Sequence, residues 1–238
     1  MTREDFAIAV PLFLRATELD AELALPHAGL ASLRIYEAFF HWTDRPSDAL
    51  AESLASARTA LALDQLDSTT YSVLGASLAF TGKHDQTLAV CRKAIELNPS
   101  NAAAFTALGV AHYFRGEPEP GIRAIEAAIR LSPNDVLMHT WVSALAGLHL
   151  LARDYAKAAE CARLAVQGAP QFPPGWRSLA NALGQLGQLD EAREALEQFL
   201  ALSPGLCSEQ AIRASTGFRD EAVFQHYLEG LRKAGWKG

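Results

Sequence analysis

Between Ser68 and Pro133 one pattern of small, large and turn residues is written twice in succession. Tyr71, Leu74, Gly75, Gly82, Ala94 and Pro99 are followed 34 residues later by Phe105, Leu108, Gly109, Gly116, Ala128 and Pro133. A repeat of this length, with a turn glycine midway and a proline at its close, specifies one helix–turn–helix unit. Such a unit cannot bury its apolar face alone, so neighbouring units must stack, each touching the next. The expected fold class is therefore all-α, a solenoid of antiparallel helix pairs.

The same frame extends in both directions. Arg3 to Asp20 reads as the second helix of a repeat whose first helix is missing, with Ala21 in the place of the closing proline and Pro11 in the helix interior. It is either a frayed cap or the edge of a longer array. The second unit starts near Glu22 and is ten residues longer than the period, so both its helices are expected to be longer; it overruns its turn with Phe39, Phe40, His41 and Trp42, and Ser47 is expected to cap its second helix. The aromatics either form a docking patch or pack on Leu50 and Leu54. Gly75 and Gly109 are expected where paired helices cross, and Ala94 and Ala128 where one unit meets the next. The fifth unit opens with a helix from Val136 to Leu151 that is apolar on every side. It must be covered all round, by a partner or by the chain's own end. In the sixth unit Phe199 replaces the alanine, as expected beside a cap. The tail gives two helical patterns, Ser208–Ala214 and Asp220–Ala234, joined through Arg219. The expected organisation is an array over 1–204, of about five and a half repeats with breaks near 21, 65, 99, 133, 170 and 204. Residues 205–238 form capping helices.

An aromatic, a Leu-Gly pair, a turn glycine, an alanine and a closing proline at 34-residue spacing resemble the tetratricopeptide repeat (TPR) family. The resemblance implies a right-handed superhelix that binds proteins or peptides through a concave groove lined by first helices. The groove residues it implies are Ala28, Ser32, Ser72, Ala76, Thr106, Val110, Tyr113, Thr140, Ala144, Arg177 and Asn181, small and apolar or hydroxyl-bearing for most of their length. Arg177 and Asn181 are similar to the basic and amide pair of TPRs that clamp a carboxylate, but no third unit follows them. Further motifs resemble the C-terminal TPR region of bacterial class III adenylate or guanylate cyclases and winged-helix regulators. These are Arg15-Ala16-Thr17-Glu18-Leu19-Asp20, Trp42-Thr43-Asp44-Arg45-Pro46, and Phe218-Arg219-Asp220 leading to Tyr227-Leu228-Glu229-Gly230-Leu231. That likeness implies a regulatory or scaffolding module, or a sensor region responding to a small ligand. Whether the chain is whole or the end of a longer protein stays open.

Other classes find little support. A net charge of −6 and a pI near 5.6 leave no basic face for phosphates, so nucleic acid is not an expected partner. No stretch reaches 18 uninterrupted apolar residues, so no membrane span is expected. Three widely spaced cysteines, Cys91, Cys161 and Cys207, fit reduced thiols and a cytoplasmic setting. The seven histidines include no pair three or four apart, and no cysteine has a histidine nearby in sequence, so no metal, cofactor or catalytic group is expected. His112 and His139 read as core-edge residues. Self-association through the first helix or the aromatic insertion is a third mode of partnership.

Overall fold

The computed structural model describes residues 3–40, 42–218 and 220–238. His41 of the insertion and Arg219 of the tail lie outside them. Thirteen α-helices and no strand occur among the described residues. They form two compact units, Met1–Ala111 and His112–Gly238.

The first unit holds α1 (Arg3–Leu19), α2 (Ala24–Phe39), α3 (Pro46–Leu63), α4 (Ser68–Phe80), α5 (His84–Leu97) and most of α6 (Ala102–Arg115). Within it α2 packs on α3, α4 on α5, α2 on α4, and α1 on α2. Turn chemistry explains the breaks. The Asp67 carboxylate accepts the N–H groups of Thr69 and Thr70 and so caps α4. Gly82, at φ 75°, takes the left-handed conformation that ends α4. A buried hydroxyl chain ties three helices: Ser53 Oγ donates to the Ala31 carbonyl at 2.8 Å and lies 2.7 Å from Ser77 Oγ, which donates to the Val73 carbonyl. Every member is satisfied, which burial at this depth requires. Leu54, Ala57, Val73, Leu74 and Leu78 fill the core around them. A Cβ on Gly75 would run into the Cys91 sulfur, the close crossing of paired helices that the repeat pattern demands, and Ala94 is fully buried.

One expectation for this unit changes. Ser47 does not cap α3. Pro46 occupies its first turn and Arg45 stands at the cap, because proline's fixed φ suits the first helical position and the N–H it lacks would have no partner there. The aromatics Phe39, Phe40 and Trp42 pack on one another and on rings from neighbouring helices. Phe39 lies 5.5 Å from Phe80 of α4, Trp42 lies 5.6 Å from Phe6 of α1, and Phe40 stacks on Trp42 at 5.1 Å. The rings remain half-buried. The extra length of the unit is real: α2 and α3 have 16 and 18 residues, against 13 and 14 in the next pair.

The second unit holds the end of α6, α7 (Pro118–Leu131), α8 (Met138–Leu151), α9 (Tyr155–Gly168), α10 (Pro173–Leu186), α11 (Leu189–Leu202), α12 (Glu209–Thr216) and α13 (Glu221–Lys233). Successive helices from α7 to α11 pack on one another, and α8 touches α10. The apolar helix α8 begins at Met138, two residues later than expected. Asp135 accepts the Leu137 N–H and turns the chain there, leaving Val136 76% exposed. Trp141, Leu145, Leu148 and Leu150 are buried. Ser208 and Asp220 cap α12 and α13 through their side chains. The tail does not continue the helix-pair pattern: α13 packs on α10 and reaches α8. Phe224, Tyr227, Leu228 and Leu231 of α13 join the core of α8 to α11, with Phe199 fully buried among them. An alanine would leave a void where Phe199 stands.

Candidate partner-binding groove

The residues expected to face a partner divide between the two units, and their surroundings differ. In the first unit they lie on α2, α4 and α6. Ala28 and Ser72 are buried, while Ser32, Ala76, Thr106 and Val110 are half-exposed. Their hydroxyls are less available than the sequence suggests. Ser32 Oγ donates to the Ala28 carbonyl at 3.1 Å, Ser72 Oγ to Thr69 at 2.8 Å and Thr106 Oγ1 to Ala102 at 3.0 Å. Each donor is spent on its own helix, the back-bonding open to serine and threonine within a helix. The surface therefore offers methyl groups, methylenes and lone pairs, with few hydrogen-bond donors.

In the second unit the residues lie on α6, α8 and α10. Thr140 donates to the Leu137 carbonyl at 2.8 Å and, like Ala144, is half-buried. Tyr113 lies against Gly147, where a Cβ would come within 2.7 Å of its ring, and packs 5.1 Å from Phe218 of the tail. Arg177 donates from Nη1 to Ser215 Oγ at 2.8 Å, with its guanidinium 5.9 Å from the ring centres of Phe199 and Tyr227. Asn181, 1% exposed, donates from Nδ2 to the Tyr227 carbonyl at 2.6 Å. One helical turn on, a Cβ on Gly184 would strike the Gly230 carbonyl, and a Cβ on Gly230 would strike Asn181. The tail is thus read by side chains at positions expected to face a partner: a buried amide on its backbone, a guanidinium on its hydroxyl, and two glycines that bring the helices together. Burial pushes the Tyr113 and Tyr227 phenols well above the ordinary tyrosine range, so both stay neutral.

Sequence reasoning singled out Arg177 and Asn181 but not the tail residues they hold, Ser215, Tyr227 and Gly230. A signal existed in Gly184 and Gly230, two glycines in helix interiors where glycine is otherwise unfavourable. The histidines sit at the core edge. His112 Nδ1 lies 2.7 Å from Glu117 Oε2, and His139 packs edge-on to Phe172 at 5.1 Å. Among the described residues no three His, Cys, Asp or Glu side chains gather as a metal site would need. No described helix is long and apolar enough to cross a membrane.

Family models described as tetratricopeptide repeat match residues 73–136, 106–173 and 173–206, together more than half of the chain. The chain belongs to the tetratricopeptide repeat family. No curated protein sequence matches it. Among solved structures, this TPR chain is similar to one in the APC/C hetero-tetramer Cut9–Hcn1, over 98% of its own length, at 16% identity and a TM-score of 0.68. It spans 44% of that chain. It is also similar to YrrB, described as a TPR protein with an unusual peptide-binding site, at 17% identity and a TM-score of 0.51, over 91% of this chain and 97% of that one. The MamA protein gives 22% identity and a TM-score of 0.53 over 72% of this chain and 92% of its own. At these identities the likeness is one of fold.

Proposed function

We propose that this TPR chain is a non-catalytic protein-interaction module, regulatory or scaffolding in role, that takes a peptide or helix on the concave face of α2, α4 and α6. One observation carries the reading. The concave residues Arg177 and Asn181 of the second unit are engaged by the chain's own tail, whereas Ser32, Ala76, Thr106 and Val110 stay half-exposed. With the hydroxyl donors of Ser32 and Thr106 spent internally, this face suits an apolar side-chain row better than a charged terminus. The peptide-binding site named for YrrB is consistent with such a use of the fold. In this reading residues 1–204 are the array of about five and a half repeats and residues 205–238 its lid. The test is selection of binders from a displayed peptide library on the wild-type chain, followed by titration against Ala76→Glu and Val110→Glu. A charge in the middle of an apolar contact lowers affinity by about tenfold or more. Binders indifferent to both substitutions would refute the assignment.

A further inference from the structure

The two helices of the tail are held in different ways. Helix α13 gives the core Phe224, Tyr227, Leu228 and Leu231, all buried. Helix α12 gives it one apolar side chain. Of its eight residues only Ile212 and Thr216 are buried, and the Thr216 hydroxyl donates to the Ile212 carbonyl of its own helix at 3.0 Å. A helix so short does not hold itself together in water, where about 12–15 residues are needed. Charged groups fasten the rest of it. Glu209 pairs with Arg232 of α13 at 3.1 Å and, within α12, with Arg213 at 3.8 Å. Arg213 reaches Glu221 of α13 at 2.8 Å and lies 3.8 Å over the Phe224 ring. Gln225 of α13 donates to Glu209 at 3.3 Å and to Glu221 at 2.8 Å. The paired charges are 37% to 64% exposed, so dissolved ions reach and screen them.

Both ends of α12 leave it room to move. Gly217, at φ 66°, follows it in the left-handed conformation, and a Cβ on Gly205 before it would meet nothing within 4 Å. On the side of α10 it rests on Arg177, a position expected to face a partner, through the bond from Arg177 Nη1 to Ser215 Oγ at 2.8 Å. Arg177 Nε is buried with no acceptor among the described residues. Lifting α12 lets water reach that nitrogen, so the closed state gains less from this contact than a fully paired one would. Segments with few buried apolar side chains and exposed fastenings open at a lower free energy than the whole molecule. We infer that α12 is a strap fastened by charge, which opens locally while α13 stays seated, and that rising ionic strength opens it and frees Arg177 from Ser215.

The experiment is amide hydrogen exchange of the intact 238-residue chain, read by mass spectrometry at about 0.02 and 0.5 M salt. The expected result is exchange over 212–217 at least about tenfold faster than over 224–231. Salt speeds exchange over 212–217 by about threefold, Glu209→Gln does so by about as much, and salt adds less to that variant. Ser215→Ala, which removes the tie to Arg177, speeds it too. Exchange over 224–231 stays constant throughout, which also shows that the variants are folded. Modification of Arg177 by phenylglyoxal rises in step with exchange over 212–217. One common rate for 212–217 and 224–231 makes the tail a single cooperative block and overturns the inference. So does exchange over 212–217 that ignores both salt and Glu209→Gln, or Arg177 modification that does not follow it. Val110→Glu, the groove variant, leaves these readings unchanged, which keeps this inference and the proposed function separable.

Discussion

Gly230→Ala would test the seating of the tail most directly. The new methyl group would meet the Asn181 side chain and sit 2.6 Å from the Asn181 carbonyl oxygen. The latter is helix backbone and cannot swing aside. Three contributions compete. Alanine is a better helix former than glycine by about 1 kcal/mol. Overpacking costs about 1–3 kcal/mol. Pushing α13 from α10 also breaks the bond from Asn181 to the Tyr227 carbonyl, and a buried amide without a partner costs about 1–3 kcal/mol. The net is a loss of about 1–5 kcal/mol, and Tm falls by about 2–4 °C for each kcal/mol in a chain of this size. Gly205→Ala is the control: nothing lies within 4 Å of its Cβ position, so it should be neutral or stabilise by up to about 1 kcal/mol. The assay is urea and thermal unfolding of both variants, with amide hydrogen exchange over 221–233. If Gly230→Ala matches or exceeds the wild type, with protection of α13 unchanged, the helix-propensity gain is unopposed and the described contact between α10 and α13 is refuted.

Two further predictions follow from burial. Desolvation holds the His149 imidazole below its ordinary pKa of 6.5, against the opposing pull of Asp154, and burial does the same to His139. The folded chain then binds fewer protons than the unfolded one just below that pH. The stability these groups contribute is complete above about 6.5 and is lost as pH falls through the window beneath it. Urea midpoints should drop between pH 7.5 and 5.5, less steeply in His149→Gln, and a pH-independent midpoint would contradict this. Among the thiols, Cys91 is fully buried and pushed up to about 12, Cys161 is raised to about 11, and Cys207 is exposed. An aromatic disulfide reagent should therefore modify Cys207 first and Cys91 only on unfolding. Fast native reaction of Cys91 would refute its placement against Gly75.

Much of the fold was legible because its determinants are local. The 34-residue spacing of Gly75, Gly82, Ala94 and Pro99 to their partners sets helix length, turn and crossing through backbone sterics, and each unit needs only its neighbour. The start of the last helix at Asp220 and Phe199 as the mark of a changed packing were readable for the same reason. Three features were not. Ser47 lost its cap to Pro46 because two local preferences compete, and their difference is small. That the hydroxyls of Ser32, Ser72 and Thr106 donate within their own helices was not readable, because residue type does not reveal which acceptor a rotamer finds. The engagement of Arg177 and Asn181 by Ser215 and Tyr227 joins residues 38 and 46 positions apart. No periodicity encodes such a pairing. The sequence by itself determined a stacked array of helix pairs, since repeat length and small-residue positions act within one unit. Only the tertiary structure decided which of the residues expected to face a partner stay open and which hold the tail, because that depends on contacts between helices far apart in sequence.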